Sequence, residues 1–192
     1  MYLSRVNVDR QRTRNPYHLH QSLWKLFPGI PDAERPFLFR IESTRPRETV
    51  SILMQSDIEP VQDSEQSVKL IASKPFMPVF SNGQLLQFAL CANPIKRLKE
   101  ERCRVPLIHE DEQTAWLERK LEGAAKLIEC DIIGGQPLYF RKSSEVPAGK
   151  IVTVTFFGHL EVIEPAGLLA LMKSGIGPAK SFGCGMLTLA RA

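Results

Sequence analysis

The sequence predicts an α+β protein built from two consecutive β-α-β-β-α-β units. Three observations lead there: alternating and helical apolar patterns follow one another in that order twice along 192 residues, each well-marked helix has its own start and stop residues, and a non-periodic stretch around 75–84 separates the two series. The expected domains are 1–76 and 84–192.

In the first series, residues 2–8 alternate as a strand, and a helix over 16–27 follows. Strands are expected over 37–42, 50–55 and 68–72. The second helix of this unit is expected to be reduced, because 57–66 holds Pro60 and little apolar periodicity. The second series opens with an alternating strand over 85–92, then a basic loop, then a helix over 110–126. That helix spaces Trp116, Leu117, Leu121, Ala124 and Ala125 at helical intervals and places acids in its first turn, where the macrodipole favours them. Strands follow near 128–133 and 137–141, with a long alternating run over 151–163. Pro165 opens a short helix over 165–173, Gly175 stops it, and a glycine-rich loop leads to a last strand over 186–190. Two tandem ferredoxin-like units are the simplest architecture for this order; a single mixed α+β domain is the other. No internal sequence repeat accompanies it.

The helix over 16–27 carries the most chemistry. Asn15 suits the N-cap, Pro16 the first helical position, and Pro28-Gly29 ends the run. At 100° per residue Leu19, Leu23 and Leu26 form one narrow arc, flanked by Pro16 and Phe27. Tyr17, His20 and Trp24 form a second stripe about a third of a turn or more away, so His20 borders the core. His18 points the other way, toward solvent. Two readings stand for the second stripe. It extends the packing face, or it presents an imidazole able to transfer a proton near neutral pH and a phenol one turn away to hold a reacting oxygen.

Composition, 43% hydrophobic and 24% charged, is that of an ordinary soluble globular protein. No apolar run reaches membrane-spanning length, and the alternating start is unlike a signal peptide, so the expected location is the cytoplasm. Cys91, Cys103, Cys130 and Cys184 are scattered without C-x-x-C or zinc-finger spacing; free thiols are expected, with no structural metal. Net charge is only +4, but it is segregated: residues 1–47 hold nine basic and four acidic residues. Arg5, Arg10, Arg12 and Arg14 cluster ahead of the helix. Lys96, Arg97, Lys99, Arg102 and Arg104 form a second basic cluster, and Lys173, Lys180 and Arg191 have no acidic neighbours in sequence. Such loops suit a polyanion, although solvated loop charges would read the same way.

The loop 175–185 has four glycines and one lysine. Ala179 stands where a Walker A loop needs glycine, and the order helix-loop-strand also excludes a dinucleotide fingerprint. What remains is a tight packing turn or a backbone nest against phosphate or sugar, with Gly177, Gly183, Lys180 and Ser181 as its members. Cys184 has no base placed to activate it. His109 and His159 share no motif with a second ligand, and no acidic pair is spaced for two-metal phosphoryl chemistry.

Four segments in order, Asn15-Pro16-Tyr17-His18-Leu19-His20-Gln21-Ser22-Leu23-Trp24, Ala92-Asn93-Pro94-Ile95-Lys96, Arg102-Cys103-Arg104-Val105-Pro106 and the 175–185 loop, resemble the CasE family. These are the CRISPR repeat endoribonucleases of the type I-E Cascade complex, and the resemblance spans essentially the whole chain. It implies two ferredoxin-like domains and metal-independent cleavage of precursor CRISPR RNA at the 3′ base of each repeat hairpin. The repeat's own 2′-hydroxyl would attack the adjacent phosphate, leaving a 2′,3′-cyclic phosphate or its opened form and a 5′-hydroxyl. His20 matches the family's catalytic histidine and Tyr17 its tyrosine. The resemblance further implies no cofactor, a repeat RNA hairpin and other Cascade subunits as partners, and a monomer when free. Lys96, Arg97, Lys99, Arg102 and Arg104 would meet RNA in a loop that orders on binding RNA or partner subunits. Arg141, Lys142 and Lys150 would track the stem from a hairpin over 136–150. Lys180, Ser181, Gly177 and Gly183 would face the scissile region. A non-catalytic RNA-binding subunit is the alternative; a small-molecule-binding protein of the same fold fits the basic loops poorly.

Overall fold

A computed structural model of the chain describes residues 1–9, 15–30, 35–44, 49–62, 67–98, 103–135, 137–141 and 148–192. Twelve strands and three α-helices run through them. Arg10, Arg12, Arg14, Lys99, Arg102 and Lys142 lie outside the described residues, as does Gln136.

The chain divides into two compact units. The first is Met1–Met77 with Leu138–Lys150 and Lys180–Gly183; the second is Pro78–Pro137, Ile151–Ala179 and Cys184–Ala192. Two pieces of the second half of the sequence are thus grouped with the first unit.

In the first unit, β1 (Tyr2–Asp9), β2 (Phe37–Thr44), β3 (Thr49–Ser56) and β4 (Val68–Pro75) form one sheet in the order β2-β3-β1-β4. Every neighbouring pair is antiparallel. Helix α1 (Pro16–Trp24) connects β1 to β2. It is shorter than its sequence pattern: Lys25, Leu26 and Phe27 close with bonds to carbonyls three residues back, a tightened end that keeps Leu26 and Phe27 buried. Alternate residues of the central strands, Val6, Val8, Ile52 and Met54, meet Leu19, Leu23, Leu26 and Phe39 in the core. The leucine arc read from the sequence is the buried face. Between β3 and β4 the described residues 57–62 and 67 contain no helix. Strands β2, β3 and β4 each run somewhat beyond their expected limits.

In the second unit, β5 (Leu85–Ala92), β8 (Ala125–Gly134), β11 (Val154–Val162) and β12 (Leu187–Arg191) pair in the order β12-β5-β11-β8, again antiparallel throughout. Helix α2 (Glu110–Leu121) lies between β5 and β8, and α3 (Pro165–Ser174) between β11 and β12. Trp116 of α2 stacks on Phe156 of β11 at 6.2 Å, within a core that includes Phe88, Leu117, Leu160 and Leu168. The predicted helix over 110–126 ends early. Glu122 is already extended, Gly123 turns with φ +77, and Ala125 enters the ladder opposite Val162. Strand pairing therefore takes residues that helical spacing alone would extend.

The alternating run over 151–163 is also divided. Gly149–Ile151 is β10, paired with β9 (Leu138–Phe140), and β11 starts at Val154. The base of the hairpin expected over 136–150 is present. The basic stretch after β5 is ordered at its base, where β6 (Ile95–Arg97) pairs antiparallel with β7 (Arg104–Pro106). The expectation of a loop that orders only on binding is corrected for those residues, because Leu98 and Leu107 amides also close the ribbon onto Cys103 and Pro94 carbonyls. Among the described residues no helix is long and apolar enough to cross a membrane.

Candidate active site

Helix α1 begins as its sequence dictates. The Asn15 side chain accepts from the Tyr17 amide at 3.1 Å, capping a helix with Pro16 at its first position. The Asn15 amide also donates to the Arg141 carbonyl at 2.7 Å, tying the helix start to the end of β9. His18 is exposed and His20 half-buried, as helical geometry requires.

His20 stands at an aromatic wall. Its ring lies 5.7 Å from Phe37 and meets Trp24 edge-on at 6.3 Å, while Phe27 stacks on Phe37 at 5.2 Å. Its Nε2 is buried without a hydrogen-bond partner among the described residues. Burial, with the Arg35 guanidinium beside it, lowers the His20 pKa to about 4. At neutral pH the ring is an uncharged imidazole, with one nitrogen able to accept a proton. Tyr17 lies one turn earlier on α1, half-buried, its ring 6.3 Å from His18.

The end of the glycine loop packs against this helix. Lys180–Phe182 is a single 3-10 turn in contact with both α1 and β2, and β9 also touches α1. Phe182 meets Phe140 of β9 at 4.4 Å. Gly183 has φ +85, and a Cβ there would come within 3.2 Å of the Phe39 ring. Thus Tyr17, His20, Arg141, Lys150, Lys180, Ser181 and Gly183 all belong to the first unit. Arg141 and Lys150 are exposed at the hairpin base, and Lys180 and Ser181 are half-buried.

Gly177, Lys96, Arg97 and Arg104 belong to the second unit. Gly177 has φ +79 and sits so close to Trp116 that a Cβ would fall 2.8 Å from its ring. Lys96 pairs with Glu112 at 2.7 Å. Arg97 and Arg104 are exposed and directly opposite each other across the β6-β7 ribbon. Like charges at such a position repel.

The remaining polar candidates behave as structure. His159 bonds Glu129 at 2.9 Å as a cross-strand pair. His109 caps α2 without a side-chain bond. All four cysteines are free thiols. A hydrogen bond with Cys91, then burial, raise the Cys184 pKa and so disfavour the thiolate that a nucleophile needs. Among the described residues no group of three His, Cys, Asp or Glu side chains is placed to hold a metal ion. Sequence reading missed the aromatic partners Phe37, Phe140 and Phe182, and it counted Arg35 only as one of nine basic residues. The signal for Arg35 was its place directly before the strand that follows the His20 helix.

A half-buried, uncharged histidine on a capped helix, set among aromatic rings and beside a lysine-bearing turn, offers a proton acceptor. The chain belongs to the family of CRISPR associated proteins, whose model matches residues 1–191. It is 44% identical over 201 aligned residues to the Cascade subunit CasE of Escherichia coli K12, with 99% of each chain covered. The crystal structure of Cas6e from that strain superposes with a TM-score of 0.86, 41% identity and full coverage of both chains. The endoribonuclease Cse3 of Thermus thermophilus is 36% identical over 196 residues, covering 94% of this chain and 92% of the relative. A structure of Cse3 bound to 19 nt RNA has a TM-score of 0.85 at 33% identity, covering 99% of this chain and 100% of that one.

Proposed function

We propose that this protein is a metal-independent endoribonuclease that cuts precursor CRISPR RNA at the 3′ base of the repeat hairpin and stays on its product as a Cascade subunit. The observation that carries the reading is His20, neutral and with an unpartnered buried Nε2, on a helix held by the 180–182 turn. Its full-length relatives include an endoribonuclease and a Cascade subunit.

The chemistry follows from the residues. An internal 2′-hydroxyl nucleophile needs alignment with the phosphate and a proton acceptor, and neutral His20 is such an acceptor. Tyr17, one turn away, holds a reacting oxygen. The 2′-oxygen–phosphorus bond forms as the bond from phosphorus to the 5′-oxygen breaks, and the departing oxygen takes a proton from the imidazolium or from water, so the products are a 2′,3′-cyclic phosphate and a 5′-hydroxyl. General acid-base help of this kind is worth on the order of 10² to 10⁴ in rate.

The RNA-facing set is Lys96, Arg97, Lys99, Arg102, Arg104, Arg141, Lys142, Lys150, Lys180, Ser181, Gly177 and Gly183. Support for the ribbon comes from Arg97 opposite Arg104: the arrangement is unfavourable alone and relieved by a phosphate between them. We assign two ferredoxin-like domains over 1–76 and 84–192, supported by the shared strand order of the two sheets, except that 138–150 and 180–183 leave the second range and group with the first unit. The place of action is the cytoplasm, where its RNA is made.

Incubating wild type and His20→Ala with a labelled repeat hairpin in EDTA tests this reading. Cleavage by wild type alone, leaving cyclic phosphate and 5′-hydroxyl ends, is the expected result. Tight binding by both proteins without cleavage by either would leave a non-catalytic RNA-binding subunit.

A further inference from the structure

We propose that Arg35 is a further catalytic residue, donating its terminal guanidinium nitrogens to the scissile phosphate beside His20. This rests on the endoribonuclease reading and adds a residue to its site.

Arg35 is half-buried just before β2. Its Nε donates to the Phe37 carbonyl at 2.8 Å, and its guanidinium carbon lies 6.0 Å from the centre of the Phe37 ring. That same ring is 5.7 Å from His20. One aromatic side chain therefore serves as platform for both the imidazole and the guanidinium. With Nε committed to the backbone, the fork is fixed in orientation, and its two terminal nitrogens meet no carboxylate among the described residues. Burial already disfavours the charged form of Arg35. A half-buried guanidinium without a carboxylate partner among the described residues is costly, and a planar fork of donors matches two phosphate oxygens. In the cyclisation the phosphorane gains negative charge on its non-bridging oxygens while the 2′-oxygen bond forms and the 5′-oxygen bond breaks. Fixed donors at those oxygens stabilise that charge more than the ground state.

The test uses the full-length protein and measures single-turnover cleavage of the repeat hairpin, with affinity measured on an RNA whose cleavage-site 2′-hydroxyl is replaced by hydrogen. Arg35→Ala is expected to slow cleavage about 100-fold, while affinity falls less than about 10-fold. Arg35→Lys keeps the charge without the fork and should lie between. Added guanidinium ion should restore part of the Arg35→Ala rate, which it would not do for a fold defect; thermal melts of both variants check folding. Wild-type activity with Arg35→Ala cleaving within about threefold of it would overturn the role of Arg35 alone. So would a rate loss matched by affinity loss and untouched by guanidinium. A wild type that binds but cuts no repeat hairpin would overturn the endoribonuclease reading, and this role with it.

Discussion

An imidazole buried against aromatic rings is harder to protonate than one in water, and for His20 this has a sign that can be worked out. The unfolded chain takes up the proton near 6.5 and the folded chain near 4. Between those values the unfolded state binds more protons, so His20 stabilises the fold fully above about pH 6.5 and that contribution is lost as pH falls through 4. Ring chemical shifts of the free protein should give a midpoint near 4 for His20, and His20→Gln should flatten stability against pH in that window. A phosphate bound beside His20 and Arg35 offsets the guanidinium charge and attracts the imidazolium, so the midpoint should rise in the RNA complex. A midpoint unchanged by RNA would place the phosphate elsewhere. Tyr17→Phe keeps the ring and removes the phenol; cleavage should slow at least tenfold while RNA affinity holds, as a positioned acid-base group requires.

The elements show why the sequence was legible in some places and opaque in others. Helix α1 was readable to its capping residue because Asn15, Pro16 and the leucine arc are local signals that agree with one another. Helix α2 was read too long, because Ala124 and Ala125 keep helical spacing while β11 claims Ala125 by cross-strand pairing. The β6-β7 ribbon was missed for the same reason: Ile95–Arg97 has three residues and no turn of its own, and becomes a strand only opposite Arg104–Pro106. That pairing makes a prediction. Arg97→Glu would form an ion pair with Arg104, steady the ribbon, and weaken RNA binding, lowering the slope of log affinity against log salt by about 0.7 to 0.9 for each phosphate no longer neutralised. At the 180–183 turn, Gly183→Ala forces an L-residue to φ +85 beside Phe39. It should cost about 1–2 kcal/mol in urea unfolding and slow cleavage through displacement of the 180–182 turn from α1.

At the scale of the whole molecule, two sheets with the same strand order arise from sequences without a detectable repeat, because strand order follows from the succession of elements rather than from residue identity. That succession was readable. The membership of the units was not, since Phe140 in its expected strand and Phe182 in the glycine-rich loop carry no sign of each other until tertiary packing brings them together. On the proposed acid-base chemistry, EDTA should leave the cleavage rate unchanged; loss of activity restored by magnesium would reveal a metal requirement. The partition of the chain has one more consequence, in time rather than space. A ribosome delivers residues at roughly 5–20 per second from the N-terminus, and the histidine helix emerges early. Its packing partners, β9 and the 180–182 turn, follow it well over a hundred residues later in the chain. A nascent chain thus carries its histidine long before the site is complete, and transcripts near the ribosome meet a finished nuclease only once the 180–183 turn has emerged.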